Sequence, residues 1–282
     1  MNIFDTILIN PIINVLVALY KAFETLGFPY PLAFSIFGLT VLLRLILWPL
    51  TTTQLKSAKK IQSLRPHLNE IKKKHGHDKL RHQQEQAKLY KEHGVNPAAG
   101  CLPSLIQIPV LIALYQVLIR FLQASSTSEA IESINNVLYS TSIAIKNGID
   151  TSFLGLNLAQ RPNDLISQAP LIVLIPVITG ILQLTLSKMT MPQKVKTVVK
   201  KVKESGKKQE EKVEMTEIVD QMQSQMLFVM PAIVAFFAFS FPLGLAIYWN
   251  TFSILGIIQQ YLVSGWGGLS EWLPGKLKPK VA

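Results

Sequence analysis

The chain has 282 residues, 49% of them hydrophobic and only 16% charged, with a mean hydropathy of +0.31. That composition excludes an ordinary soluble globule and points to a membrane protein. A net charge of +11 suits nucleic acid, anionic lipid head groups or a ribosome equally well, so the position of the charges must decide among them. The single cysteine, Cys101, excludes an intrachain disulfide and a cysteine-based zinc site.

Residues 1–26 place Thr6, Asn10, Asn14, Lys21 and Thr25 on one helical face and Ile3, Phe4, Leu8, Ile12, Leu19, Phe23 and Leu26 largely elsewhere. This predicts an amphipathic helix lying in the extracytoplasmic membrane interface, with a sixth span as the alternative that hydropathy alone allows. The first 20 residues contain no lysine or arginine, and no cleavable signal is expected. Five further runs meet the roughly 20 residues needed to cross about 30 Å of hydrocarbon: 32–54, 97–122, 167–188, 224–241 and 243–264. The last two are separated only by Phe241 to Gly244 and are expected to form a tight helical hairpin.

Between the first two spans, 55–93 reads as a helical hairpin. Ile61, Leu64, Leu68 and Ile71 form a thin seam, His75 to Asp78 a turn, and Leu80, Ala87 and Tyr90 the returning face; Pro66 is expected to kink the first arm. The segment 123–166 is a loop poor in lysine and arginine, 189–223 a mobile run of mixed charge, and 265–282 a short basic tail. Of 28 lysines and arginines, 23 fall in three stretches, Lys56 to Lys91, Lys188 to Lys212 and the last seven residues, that is, in the hairpin, the mixed-charge loop with the lysine at its edge, and the tail. The positive-inside rule therefore makes those three cytoplasmic and the N-terminus extracytoplasmic.

All five histidines, His67, His75, His77, His82 and His93, lie in the hairpin, at spacings that match no zinc pattern. No metal or cofactor is expected. No Asp or Glu falls inside the five spans and no phosphate-binding loop is present. This argues against an intramembrane protease, an ion pump and an ATP-driven machine, and the protein is read as not an enzyme.

One charge contradicts the apolar pattern. In FSIFGLTVLLRLILWPL, Arg44 interrupts the first span, and Thr40, Arg44, Trp48 and Thr51 draw a semi-polar stripe down its cytoplasmic half. A mid-helix arginine costs about 2.5–3.5 kcal/mol on insertion scales, and the other spans offer no acid to neutralise it. It must look to water, lipid phosphate or an incoming anionic group. Gln107, Gln183 and Asn250, with Tyr248 and Trp249 as amphipathic neighbours and Gln259 beyond them, can line a groove beside it.

These residues carry a resemblance. GLTVLLRLILWPLT with QLKSAKKIQSLRP (38–66), KLYKEHGV with NPAAGCLPSLIQIPVLIALYQVL (88–118), FLGLNLAQ (153–160) and FPLGLAIYWNTFSILGIIQQ (241–260) resemble signature segments of the YidC/Oxa-type membrane protein insertases. The resemblance implies an all-α polytopic fold of the short bacterial type. Five transmembrane helices surround a hydrophilic groove open to the cytoplasm, with Arg44, Thr40, Tyr248, Trp249 and Gln183 at groove positions and 55–93 as a mobile element. It also implies a protein of the bacterial cytoplasmic membrane that works without ATP. Short polar tails of nascent membrane proteins would cross where the bilayer is thin, and anionic lipids, a ribosome and a Sec translocon stand as partners. The run from Met226 to Phe241, only about 24 Å long at 1.5 Å per residue, fits a thinned barrier. Two other readings stand beside it: an anion channel or transporter using Arg44 for selectivity, and a membrane-bound ribosome tether acting through the basic hairpin.

Overall fold

Ten α-helices account for most of the residues described by the computed structural model, which are 2–95, 102–125, 127–191 and 215–273. The expected mixed-charge loop, the last part of the tail and Cys101 lie largely outside them, as does the side chain of Gln107. In chain order the helices are α1 Asn10–Thr25, α2 Pro31–Ser63, α3 Arg65–His75, α4 Lys79–Glu92, α5 Leu102–Gln123, α6 Ser128–Asn135, α7 Pro162–Leu165, α8 Leu174–Thr190, α9 Met215–Ser240 and α10 Leu243–Ser264. A π-helical turn, Asp5–Ile9, leads into α1. The only strands among the described residues are two-residue pieces, β1 Ser152–Phe153 and β2 Leu156–Asn157, paired antiparallel.

The helices carry the surface of a membrane protein. Leu45 and Ile46 on α2, Leu174 and Ile181 on α8, Phe228 and Phe236 on α9, and Ile258 and Leu262 on α10 are all exposed, and apolar exposure on this scale is stable only against lipid. Among the described residues, three stretches are long and apolar enough to cross a bilayer: Asp5–Thr25, Pro31–Ser63 and Pro170–Thr190. Within α5 and α9, Ile108–Gln123 and Leu227–Ser240 are apolar as well. The chain is an all-α integral membrane protein.

Packing follows a chain of neighbours, α1 on α2, α2 on α10, α10 on α8 and α8 on α9. Small residues set the closest approach of α8 and α9, where a Cβ on Gly180 would stand 3.0 Å from Ala235 Cβ; close backbone approach is how helices gain dispersion energy in lipid, where apolar burial alone gives none. The packing differs from the hairpin expected of the last two spans. After Ser240 the chain turns within two residues, yet α9 lies chiefly against α8 rather than α10.

Pro66 also acts differently from the expected kink. The helix ends at Ser63 and α3 begins at Arg65, with the proline in its first turn, where the missing N–H costs nothing. Helices α3 and α4 then run back along one another, and the His67 and His93 rings lie 6.3 Å apart. Asp78 caps α4 by accepting from Arg81 N–H at 3.1 Å.

One end of the bundle is closed by the loop after α5. Asn14 on α1 donates to Val137 O at 2.9 Å and accepts from Tyr139 N–H at 2.6 Å, and Tyr20 Oη accepts from Asp150 N–H at 3.1 Å. Loop carbonyls satisfy the start of α10: Leu243 N–H donates to Gln160 O and Gly244 N–H to Leu158 O, both at 3.0 Å, removing two of the unpaired amides of a helix N-terminus. The polar face read into residues 1–26 is thus not uniformly wet. Asn10 and Asn14 are 5% and 7% exposed and turn inward, and for Asn14 the loop supplies partners that periodicity cannot reveal.

Replacing Asn14 with alanine leaves a loop carbonyl and an amide unpaired in a buried place. The expected loss is about 1–3 kcal/mol, read as a lower unfolding midpoint in detergent, whereas Thr6→Ala on the exposed side should leave the midpoint unchanged.

Candidate functional site

Arg44 lies thirteen residues into α2, about 20 Å along the axis from its start at 1.5 Å per residue. It is only 7% exposed. Among the described residues it belongs to no ion pair, and its Nε is buried without a hydrogen-bond partner. Its guanidinium instead lies over the Phe252 ring, 4.2 Å from the centroid. Such a cation–π contact contributes about 0.5–2 kcal/mol, less than the cost of placing the charge there. The site therefore holds a positive charge that is shielded but not neutralised.

Helix α10 makes room for it. Tyr248, Phe252 and Gly256 recur every four residues and share a face; Tyr248 is 3% exposed and its ring lies 5.8 Å from that of Phe252. Gly256 faces Arg44 so closely that a Cβ there would collide with Nη2, while Leu186 Cδ2 of α8 closes the same spot at 3.0 Å. Sequence reading missed Phe252 and Gly256. The signal was the four-residue spacing that begins at Tyr248.

The other expected residues divide into three groups. Thr40 is fully buried and donates to Ile36 O of its own helix at 2.6 Å, so its hydroxyl is committed. Gln183 is half-buried and accepts from Ser253 Oγ at a long 3.5 Å. Trp249 and Asn250 are half-buried too; Trp249 packs on the core, and Asn250 Oδ1 has no partner. Arg44 and Tyr248 are brought together around Phe252, and Gln183 meets α10 through Ser253 on a neighbouring face. Among the described residues Arg44, Phe252, Gly256 and Leu186 are in close contact.

On the far side of Arg44 from the loop cap, polar groups clamp the helix ends. Gln259 is 1% exposed, and its Nε2 donates to Trp48 O, Thr51 Oγ1 and Thr52 Oγ1 at 3.1, 2.6 and 3.1 Å, tying α10 to α2. Gln260 Nε2 donates to Met189 O at 3.1 Å, tying α10 to α8. Beyond α10 a 3-10 turn, Gly267–Glu271, folds under α8, and Lys188 Nζ pairs with Glu271 Oε2 at 2.8 Å and lies 5.1 Å from the Trp272 ring. Gly268 N–H donates to Met191 O at 3.0 Å, an approach that any side chain at 267 or 268 would block. Among the described residues no group of three metal-ligating side chains occurs.

Gly256→Ala should push the guanidinium off Phe252 without removing a charge. Such overpacking costs about 1–3 kcal/mol, and Phe252→Leu in the same background should restore much of the lost unfolding midpoint by freeing space. A midpoint unaffected by Gly256→Ala would show that Arg44 is not held as described.

The family profile described as "60Kd inner membrane protein" matches residues 23–267. Among curated relatives, the chain is 31% identical over 229 residues to a protein of Histophilus somni named "Membrane protein insertase YidC", covering 81% of this chain and 32% of that one. It is 32% identical, with the same coverage, to the protein of that name from Mannheimia succiniciproducens. Over 256 residues it is 27% identical to the one from Nitratidesulfovibrio vulgaris, covering 91% of this chain and 38% of the relative. The chain spans about a third of the length of these relatives. With a profile match over most of its length, including α2, α8 and α10, the chain belongs to the 60 kDa inner membrane protein family, that of the YidC/Oxa-type insertases.

Proposed function

We propose that the protein inserts other membrane proteins into the bilayer, acting as a chaperone for short polar segments that must cross it. The observation that carries this reading is Arg44, a charge held at mid-depth with no anion of its own and with Nε unpartnered. An acidic or polar tail entering from the cytoplasmic end would supply the missing partner, and charge-assisted hydrogen bonds to a desolvated guanidinium are the strong ones. The tail's stay is brief because its apolar helix gains about 25 cal/mol per Å² on entering lipid. That burial drives the step, and no nucleotide is needed.

Spans 32–54, 97–122, 167–188, 224–241 and 243–264 enclose the groove, which Arg44, Thr40, Gln107, Gln183, Tyr248, Trp249 and Asn250 line when substrate opens it. Thr40 and Tyr248 are themselves buried beside Arg44. The N-terminus faces outside and the basic segments face the cytoplasm. Helix α1 lies in the outer interface. Its partners support this: Asn14 and Tyr20 bind loop residues 137–150, and Leu19 and Phe23 touch α2 at Gly38, near its beginning. The loop cap closes the groove on that side. Helices α3 and α4 form the movable cytoplasmic element, whose lysines are drawn to anionic head groups at about 1 kcal/mol each. Nascent chains are the substrates, and a ribosome and a Sec translocon are delivery partners.

The thin-barrier idea takes a more specific form. Helix α9 begins at Met215, well before the apolar run Met226 to Phe241. That run spans about 24 Å at 1.5 Å per residue, and this short apolar height, not the helix length, thins the bilayer beside α8.

Reconstituted alone in liposomes, the protein should insert a single-span substrate with an acidic tail. Arg44→Lys should retain most of that insertion and Arg44→Ala should lose about tenfold, equivalent to about 1.4 kcal/mol. Equal insertion by all three would refute the electrostatic role, and single-channel current from the purified protein would favour a conducting pore instead.

A further inference from the structure

A pocket of about 310 Å³ lies far from Arg44, at the loop-capped end of the bundle, lined by Asp5, Asn10, Arg120 and the loop residues Asn136 to Tyr139. It contains one acid and one base. Both are half-buried, and among the described residues neither side chain forms an ion pair or a hydrogen bond. Arg120 lies in the last turn of α5. Tyr139, which lines the pocket, is 70% exposed, and Ile3 and Ile7 of the adjoining N-terminal segment are 75% and 65% exposed. Apolar side chains with an amphipathic tyrosine beside them are the signature of the lipid interface.

The backbone is shaped for this pocket. Asn10 N–H donates to Asp5 O, closing the wider turn of a π-helix. In an α-helix, residues five apart point to different faces; the π turn brings Asp5 and Asn10 to one side, and both line the pocket. Such turns cost stability and cluster at functional sites.

We propose that this pocket binds the head group of a zwitterionic aminophospholipid. Arg120 takes the phosphate through charge-assisted bonds, and Asp5, with Asn10, takes the primary ammonium. Tyr139 lies along the acyl chains. A lipid with phosphate but no ammonium satisfies only Arg120. A quaternary ammonium cannot donate hydrogen bonds to Asp5 or Asn10. The inference does not depend on insertion activity, since binding is its readout.

The test is native mass spectrometry of the full chain in detergent with equal amounts of phosphatidylethanolamine, phosphatidylcholine and phosphatidylglycerol of matched acyl chains. The intact protein should retain phosphatidylethanolamine over each competitor by about threefold or more. Asp5→Asn should abolish that preference while some lipid still binds, Asp5→Glu should keep it, and Arg120→Gln should lower the retention of all three. Helical circular dichroism and unfolding midpoints verify that each variant is folded. Equal retention of the three lipids by the intact protein, or a preference unchanged in Asp5→Asn, would overturn the proposal.

Discussion

Burying a guanidinium inside the helix bundle with no carboxylate partner among the described residues is the constraint on which the rest of the structure depends. Desolvation of such a charge is costly, and the Phe252 face returns only part of the cost. The arrangement persists because neighbouring helices hold it. Gly256 leaves room, Leu186 closes over it, and the long contacts of α10 with α2 and α8 fix the three helices around one side chain. A folded state that stores an unmet interaction in this way is primed to bind an anion.

The two ends of the bundle are finished by different chemistry. At the loop end, backbone amides and carbonyls are satisfied by Asn14, Tyr20, Leu158 and Gln160 in a buried network. Severing such a network exposes several groups at once, so this end is the rigid one. At the other end, Gln259 and Gln260 stitch α10 to its neighbours, and Lys188 with Glu271 holds the chain after α10 beneath α8. The pair is partly exposed and screened by salt, so its contribution is modest.

How much of this was legible in the sequence depended on the range of the interaction. Apolar runs and missing acids are local properties, and they establish an all-helical membrane chain with an isolated Arg44. The inward turn of Asn14 was hidden because its partners lie more than a hundred residues away, at Val137 and Tyr139. The seating of α9 on α8 was hidden because it depends on Gly180 meeting Ala235, two small residues more than fifty positions apart. Gly256 had a detectable signal in its spacing from Tyr248 and Phe252, but a glycine announces only the absence of a side chain. What needed its space became visible once α2 was placed beside α10.

The central claim is that an anionic segment of a client meets Arg44. The most direct measurement places a photoreactive amino acid at position 252 and follows crosslinks to a stalled single-span client whose tail carries either aspartates or neutral residues. The account predicts strong crosslinks to the acidic tail, fewer to the neutral one, and a marked drop for the acidic tail in Arg44→Gln. Crosslinks of equal yield from both tails, unchanged in Arg44→Gln, would contradict it.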